Sequence, residues 1–137
     1  GDVPGVILVD PIDYQQMVFA VRGSTFVLTD SGGVQEEAPC LGKPVLVMRD
    51  ETERPEGLDA GTLELVGHRG ERIFEAARRL LTDERYFGRM ARAVNPYGDG
   101  HAAERIAAWL LARLRGGPYP TPFAVAAASV GRPAATP

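Results

Sequence analysis

The sequence predicts an α/β fold: a parallel sheet with helices packed on its faces. Three observations predict it. Short apolar runs recur along the chain: Val6-Ile7-Leu8-Val9, Phe26-Val27-Leu28-Thr29, Pro44-Val45-Leu46-Val47-Met48 and Thr62 to Val66. Segments of helical spacing lie between and after them. Asp, Gly and Pro punctuate the ends of the runs, as in Asp10-Pro11, Asp30-Ser31-Gly32-Gly33 and Gly67. Strands alternating with helices require a parallel sheet with right-handed crossovers.

Taken in order, residues 6–9 form a continuous apolar run, which suits a strand buried on both faces. Residues 13–21 predict a helix, with Met17, Val18 and Val21 at helical spacing. A strand at 26–29 leads through the Ser-Gly-Gly turn into a helix at 34–41, with Gly42 as its stop. A strand at 44–48 follows. Arg49 to Ala60 reads as a loop, and 62–66 as a short strand. Residues 70–81 predict a helix with Ile73, Ala77, Leu80 and Leu81 inward, and 83–92 a shorter one. Asn95-Pro96-Tyr97-Gly98-Asp99-Gly100 is a dense turn signal. The last helix spans 102–114, with Ile106, Trp109, Leu110 and Leu114 on one face. Residues 1–116 thus form one domain. Residues 117–137 are a proline- and alanine-rich stretch expected to be disordered.

Composition narrows the function. A chain of 137 residues with 45% apolar content can bury a core. The net charge of −3 argues against nonspecific nucleic-acid binding. No apolar run approaches the about 20 residues that span a bilayer. Cys40 is the one cysteine, so no internal disulfide forms, which fits a reducing compartment. With no signal-peptide pattern at the start, the expectation is a cytoplasmic protein. The chain opens on Gly-Asp-Val-Pro directly before a strand, without an initiator Met, and is expected to be a piece of a longer protein.

In parallel sheets ligands bind beyond the carboxyl ends of the strands. Those ends are Asp10, Asp30-Ser31, Met48-Arg49-Asp50 and Gly67-His68. At the second, small residues at a helix start leave backbone N–H groups uncovered at the positive end of the helix dipole, an anion site suited to phosphate. Ser31 adds a hydroxyl, and Gly32 and Gly33 allow close approach of backbone to ligand. A plain turn capped by Asp30 or Ser31 explains the same residues equally well on pattern alone. Glu37, four residues past Gly33, rises on the same helix face, where a carboxylate matches a ribose diol; a favourable charge near the helix start is the simpler account. Glu36 is rotated by about 100° and is expected to be solvated. Arg49 to Glu56 reads mostly as an exposed charged loop. Arg54 differs, because Pro55 restricts its backbone to extended conformations and so presents the guanidinium to phosphate or ribose. His68 and His101 have no partners at metal-ligand spacing and are expected at the surface or in caps, so no metal site is argued. Cys40, after Pro39, is expected to be buried packing.

The order Thr29-Asp30-Ser31-Gly32-Gly33-Val34-Gln35-Glu36-Glu37-Ala38-Pro39, Gly42-Lys43-Pro44-Val45-Leu46, Arg49-Asp50, Thr52-Glu53-Arg54-Pro55-Glu56, Ala60-Gly61-Thr62, Val66-Gly67 and Asn95 to Gly100 resembles the non-hydrolysing UDP-N-acetylglucosamine 2-epimerases over roughly residues 5 to 115. The resemblance implies a Rossmann-like sheet forming part of the second domain of a glycosyltransferase-B-type architecture. It implies interconversion of UDP-N-acetylglucosamine (UDP-GlcNAc) and UDP-N-acetylmannosamine (UDP-ManNAc). In that reaction UDP is eliminated, a 2-acetamidoglucal forms, and UDP adds back with C2 inverted, without metal or nicotinamide. It assigns Ser31, Gly32 and Gly33 to the diphosphate, Glu37 to the ribose and Arg54 to completing the UDP site. Met17 stands where the family sets a residue against uracil, and Ile12 replaces a residue that is sometimes polar. The family's acid/base carboxylates and catalytic histidine would lie in an N-terminal domain upstream of Gly1. This chain would therefore hold no catalytic residue, and the isolated chain would not epimerise. The family also suggests a homodimer. The runner-up is the nucleotide half of a UDP-sugar glycosyltransferase, against which Thr52-Glu53-Arg54-Pro55-Glu56 speaks; a hydrolysing 2-epimerase is a close variant.

Overall fold

The computed structural model describes residues 3–123. Three parallel strands form its centre: β1 (Val27–Thr29), β2 (Val45–Val47) and β3 (Leu63–Leu65), in the order β1-β2-β3. Val27 stands opposite Val45 and Val45 opposite Leu63, so the three carboxyl ends finish side by side. Every residue of β2 is buried, as its uninterrupted apolar run requires of a strand covered on both faces.

Alternating side chains of β2 divide the core in two. Val45 and Val47 pack with Ala38 and Leu63. Leu46 packs on the opposite side with Val66, Ala76, Leu80, Tyr86 and Met90. Helices α2 (Gly32–Cys40) and α3 (Pro55–Ala60) supply or adjoin the first cluster. Helices α4 (Gly70–Thr82) and α5 (Glu84–Ala91) supply the second. Ala76 and Leu80, with Ile73 and Ala77 beside them, are the inward stripe of α4. Leu81, expected inward, is 65% exposed, because one residue past Leu80 the helix has turned by about 100° away from the sheet.

Helix α1 (Tyr14–Gly23) starts at Asp13, whose carboxylate accepts from the Gln16 backbone N–H at 2.8 Å while the Gln16 side chain accepts from the Asp13 N–H. Helix α2 starts two residues earlier than expected. It stops at Pro39-Cys40, with Gly42 at φ +68° turning the chain toward β2. Helix α3 falls where a loop was expected. Pro55 opens it and Gly61, at φ +78°, closes it in the left-handed conformation. A Cβ on Gly57 would lie 2.5 Å from Leu63 Cδ1, so only glycine lets α3 sit this close to β3.

Two further expectations fail. The run at 6–9 joins no strand ladder among the described residues and is solvent-exposed, Leu8 at 88%. A buried strand needs neighbours on its edges and faces, and β1 pairs with β2 alone. Cys40 is exposed rather than buried: it ends α2 on the solvent side, where its thiol donates to the Glu36 carbonyl and its sulfur accepts from Asn95 Nδ2 at 3.0 Å.

Helix α6 (Ala102–Arg115) begins after the Asn95 to Gly100 turn and is tied to it by an Asp99–Arg105 ion pair. Ile106, Trp109, Leu110 and Leu114 share a face, as expected, yet half or more of each is exposed. Trp109 meets Tyr119 at 5.5 Å between ring centroids, so residues 117–123 run beside α6 without regular structure. The rest of the expected tail, 124–137, lies outside the described residues. No helix among the described residues is long and apolar enough to cross a membrane.

Candidate functional site

The site is the start of α2, at the carboxyl edge of the sheet. Ser31 occupies the N-cap position, but its hydroxyl caps nothing; its own N–H donates to Thr29 Oγ1 at 3.0 Å. Gly32 and Gly33 are the first two residues of the helix, and neither has positive φ. A Cβ on Gly32 would meet no protein atom within 4 Å, and one on Gly33 only Glu37 Oε1 at 3.9 Å. Neither backbone conformation nor protein packing therefore demands glycine here. What the pair provides is uncovered backbone N–H at the positive end of a helix. The capped-turn account loses its main support, since the cap hydrogen bond is absent.

Glu37 points back along the helix toward Gly33, and its Oε2 is buried without a protein hydrogen-bond partner. A carboxylate oxygen so placed lacks the donors it would have in water. Hydroxyl donors of a sugar would meet that need.

Arg54 reaches the same helix from the loop after β2. Its backbone, at φ −124° and ψ 58°, falls short of the extended conformation expected before proline, and the residue occupies the N-cap position of α3. Its Nε donates to Glu36, and Nη1 donates to the Glu53 carbonyl at 3.2 Å. The Glu36 carboxylate raises the Arg54 pKa further above its ordinary value, through hydrogen bond and charge alike. Glu36 is thus an ion-pair partner rather than the solvated residue expected. On the same loop Glu53 is held below the usual carboxylate range by its backbone N–H and by Arg49.

Two further residues escaped the sequence. Gln35 is wholly buried, and its Oε1 accepts from the Thr52 hydroxyl at 2.6 Å. Ala38 and Pro39, three and four residues on, are buried too, so the inward face of α2 carries one polar residue; that spacing was the available signal. The Tyr97 hydroxyl is buried without a hydrogen-bond partner. Burial pushes its pKa up, and the nearby Glu56 and Glu36 charges add to the rise.

Ser31, Gly32, Gly33 and Glu37 therefore stand together on one helix end, with Arg54 joined to that helix through Glu36. Met17 is half-buried on α1, and neither core cluster nor any side-chain hydrogen bond links it to them. His68 is exposed, 3.9 Å from Asp50, and His101 precedes α6 with Nδ1 2.8 Å from Glu104. No group of three or more candidate metal ligands occurs among the described residues.

Fold and site define a Rossmann-like parallel α/β unit with an uncapped, glycine-opened helix start at its carboxyl edge. The family model described as UDP-N-acetylglucosamine 2-epimerase matches residues 1–111, and the chain belongs to that family. Over 106 residues it is 58% identical to the UDP-N-acetylglucosamine 2-epimerase of Escherichia coli K12, covering 77% of this chain and 28% of the relative. The UDP-GlcNAc 2-epimerase of Neisseria meningitidis, solved bound to UDP-GlcNAc, matches with a TM-score of 0.73 and 48% identity over 75% of this chain and 28% of that one. A Staphylococcus aureus protein solved with UDP gives a TM-score of 0.77 and 46% identity over 85% and 32%. The chain thus spans under a third of the length of these relatives. Its parallel sheet with flanking helices is, as expected, of the Rossmann-like glycosyltransferase-B type.

Proposed function

We propose that this chain forms the UDP-binding part of a UDP-N-acetylglucosamine 2-epimerase, interconverting UDP-GlcNAc and UDP-ManNAc. The observation that carries the reading is the start of α2: an unengaged Ser31 hydroxyl, two glycines that nothing in the protein requires, and a Glu37 oxygen buried without a partner. Backbone N–H of Gly32 and Gly33, with Ser31, hold the diphosphate; Glu37 accepts from the ribose hydroxyls; Arg54 completes the site; Met17 lies against the uracil. The family membership and the relatives solved with UDP or UDP-GlcNAc support this assignment.

In the reaction the C2 proton is removed and the C1–O bond breaks, UDP leaving with the electron pair and a 2-acetamidoglucal remaining. Re-addition of UDP with a proton to the opposite face of C2 gives the epimer. The share of this chain is to hold UDP and stabilise the charge that develops on it, by donors fixed before the bond breaks. Groups on an N-terminal domain transfer the protons, so the isolated chain binds UDP and does not epimerise. The assembled enzyme is a cytoplasmic homodimer needing no metal or nicotinamide.

Calorimetric titration with UDP tests the site: saturable binding, weakened at least tenfold by Glu37→Gln, is expected, and no binding removes the reading. The activity is tested on the protein encoded by the complete reading frame, incubated with UDP-GlcNAc in deuterated water. Deuterium at C2 of both sugars is expected by proton NMR; release of free N-acetylmannosamine would mean a hydrolysing enzyme instead.

A further inference from the structure

We propose that the Gln35 amide and the Thr52 hydroxyl form a partly buried latch that fixes where Arg54 stands at the UDP site. The proposal rests on the UDP reading of that site and adds positioning residues to it.

The bonds run in one direction. The Arg54 backbone N–H donates to Thr52 Oγ1 at 3.1 Å, and the Thr52 hydroxyl donates to Gln35 Oε1 at 2.6 Å. A hydroxyl has a single proton, so Thr52 commits it to Gln35 while a lone pair takes the Arg54 N–H. The next residue of α2, Glu36, takes the Arg54 guanidinium. One helix therefore grips the loop twice, at the main chain through Gln35 and at the side chain through Glu36. The same helix presents Ser31, Gly32, Gly33 and Glu37. The distance between the cation and the anion-binding helix start is thereby set by a single rigid element. Catalytic and binding groups lose much of their effect when displaced by about 1 Å, which gives such a grip its value.

Stability alone does not account for Gln35. Its side chain has no exposed surface, and its Nε2 has no hydrogen-bond partner in the protein. An unpaired buried amide donor is destabilising, and an apolar residue of equal length would fill the position at lower cost. The carbonyl half of the amide holds the loop at the expense of the unpaired nitrogen half.

The test compares Gln35→Met and Thr52→Val, both close in shape to the native residues, in the protein as its reading frame encodes it. Each is made with Arg54 present and in an Arg54→Ala background. Urea unfolding accompanies each, with midpoints expected at or above the parent value for Gln35→Met. If the latch acts through Arg54, each variant weakens UDP binding about tenfold with Arg54 present and adds no loss when Arg54 is absent. Equal losses in both backgrounds overturn it, because residues that merely support the fold act regardless of Arg54. A second readout needs no nucleotide. The Arg54 Nε–H resonance in nitrogen-15 NMR is expected to be sharp and slowly exchanging in the parent, and broadened or fast-exchanging in either variant. An unchanged resonance overturns the latch. Absence of UDP binding by the parent removes the ligand assignment separately, while the resonance still decides whether the latch exists.

Discussion

Leu46 lies in β2 with no exposed surface, whereas Leu8 is 88% exposed and Leu114 80%, although each belongs to an apolar run or an apolar helix stripe. Leu46 has a strand on either side and helices on both faces. Leu8 has no ladder, and the Leu114 face of α6 has no packed helix or strand among the described residues. An apolar run or stripe records that a segment needs a partner; it does not record that the partner lies within the same chain. The middle, from β1 to α5, closes on itself. The flanking segments carry the same signal without the closure.

The largest test of this contrast is a set of three truncations. Leu46→Ala is expected to cost about 3 kcal/mol in urea unfolding, from lost burial and the cavity left behind. Leu8→Ala and Leu114→Ala are expected to change stability by less than about 0.5 kcal/mol in this chain. Equal costs at the three positions would mean that the flanking segments pack after all. Next comes Gly57→Ala, which places a Cβ 2.5 Å from Leu63 Cδ1 and is expected to cost about 2 kcal/mol through overpacking. Gly32→Ala sharpens the comparison inside the middle itself. With no protein atom within 4 Å of the new Cβ, thermal stability should hold or rise slightly, while UDP affinity falls about tenfold by titration. A stability loss there would return Gly32 to a structural role. The smallest effect concerns pH. Hydrogen bonds from Arg105 and the His101 N–H hold the Asp99 carboxyl well below its ordinary value of 3.8. A depressed folded pKa stabilises above the unfolded value and is lost as pH falls through the folded one. Amide protection at the start of α6, taken relative to the intrinsic exchange rate at each pH, is therefore expected to be constant above about pH 5 and to fall only below the ordinary carboxylate range.

Most of the middle was legible. β1, β2 and β3 follow from apolar runs, and α4 and α5 from helical spacing, because burial there is settled by neighbours within the chain. Ser31, Gly32, Gly33 and Glu37 were legible as neighbours for a related reason: they lie within about two turns of one helix, so local geometry alone brings them together. Arg54 on Glu36 and Thr52 on Gln35 were not, since they depend on how a loop folds back across 18 and 17 residues. Helix α3 was hidden by its polar sequence, though Pro55 and Gly61 mark both its limits. Tyr97 read only as part of a turn, because nothing local signals that its hydroxyl will be buried.

Among the described residues, β1 is hydrogen-bonded to another strand on one side only. Its outer N–H and C=O groups form a short template on which another extended segment, such as 6–9 of a neighbouring molecule, can add. For the chain on its own, protein concentration rather than temperature would then set the working limit in solution. Dilute samples should stay dispersed and concentrated ones should grow by strand addition, a trend that light scattering against concentration would reveal.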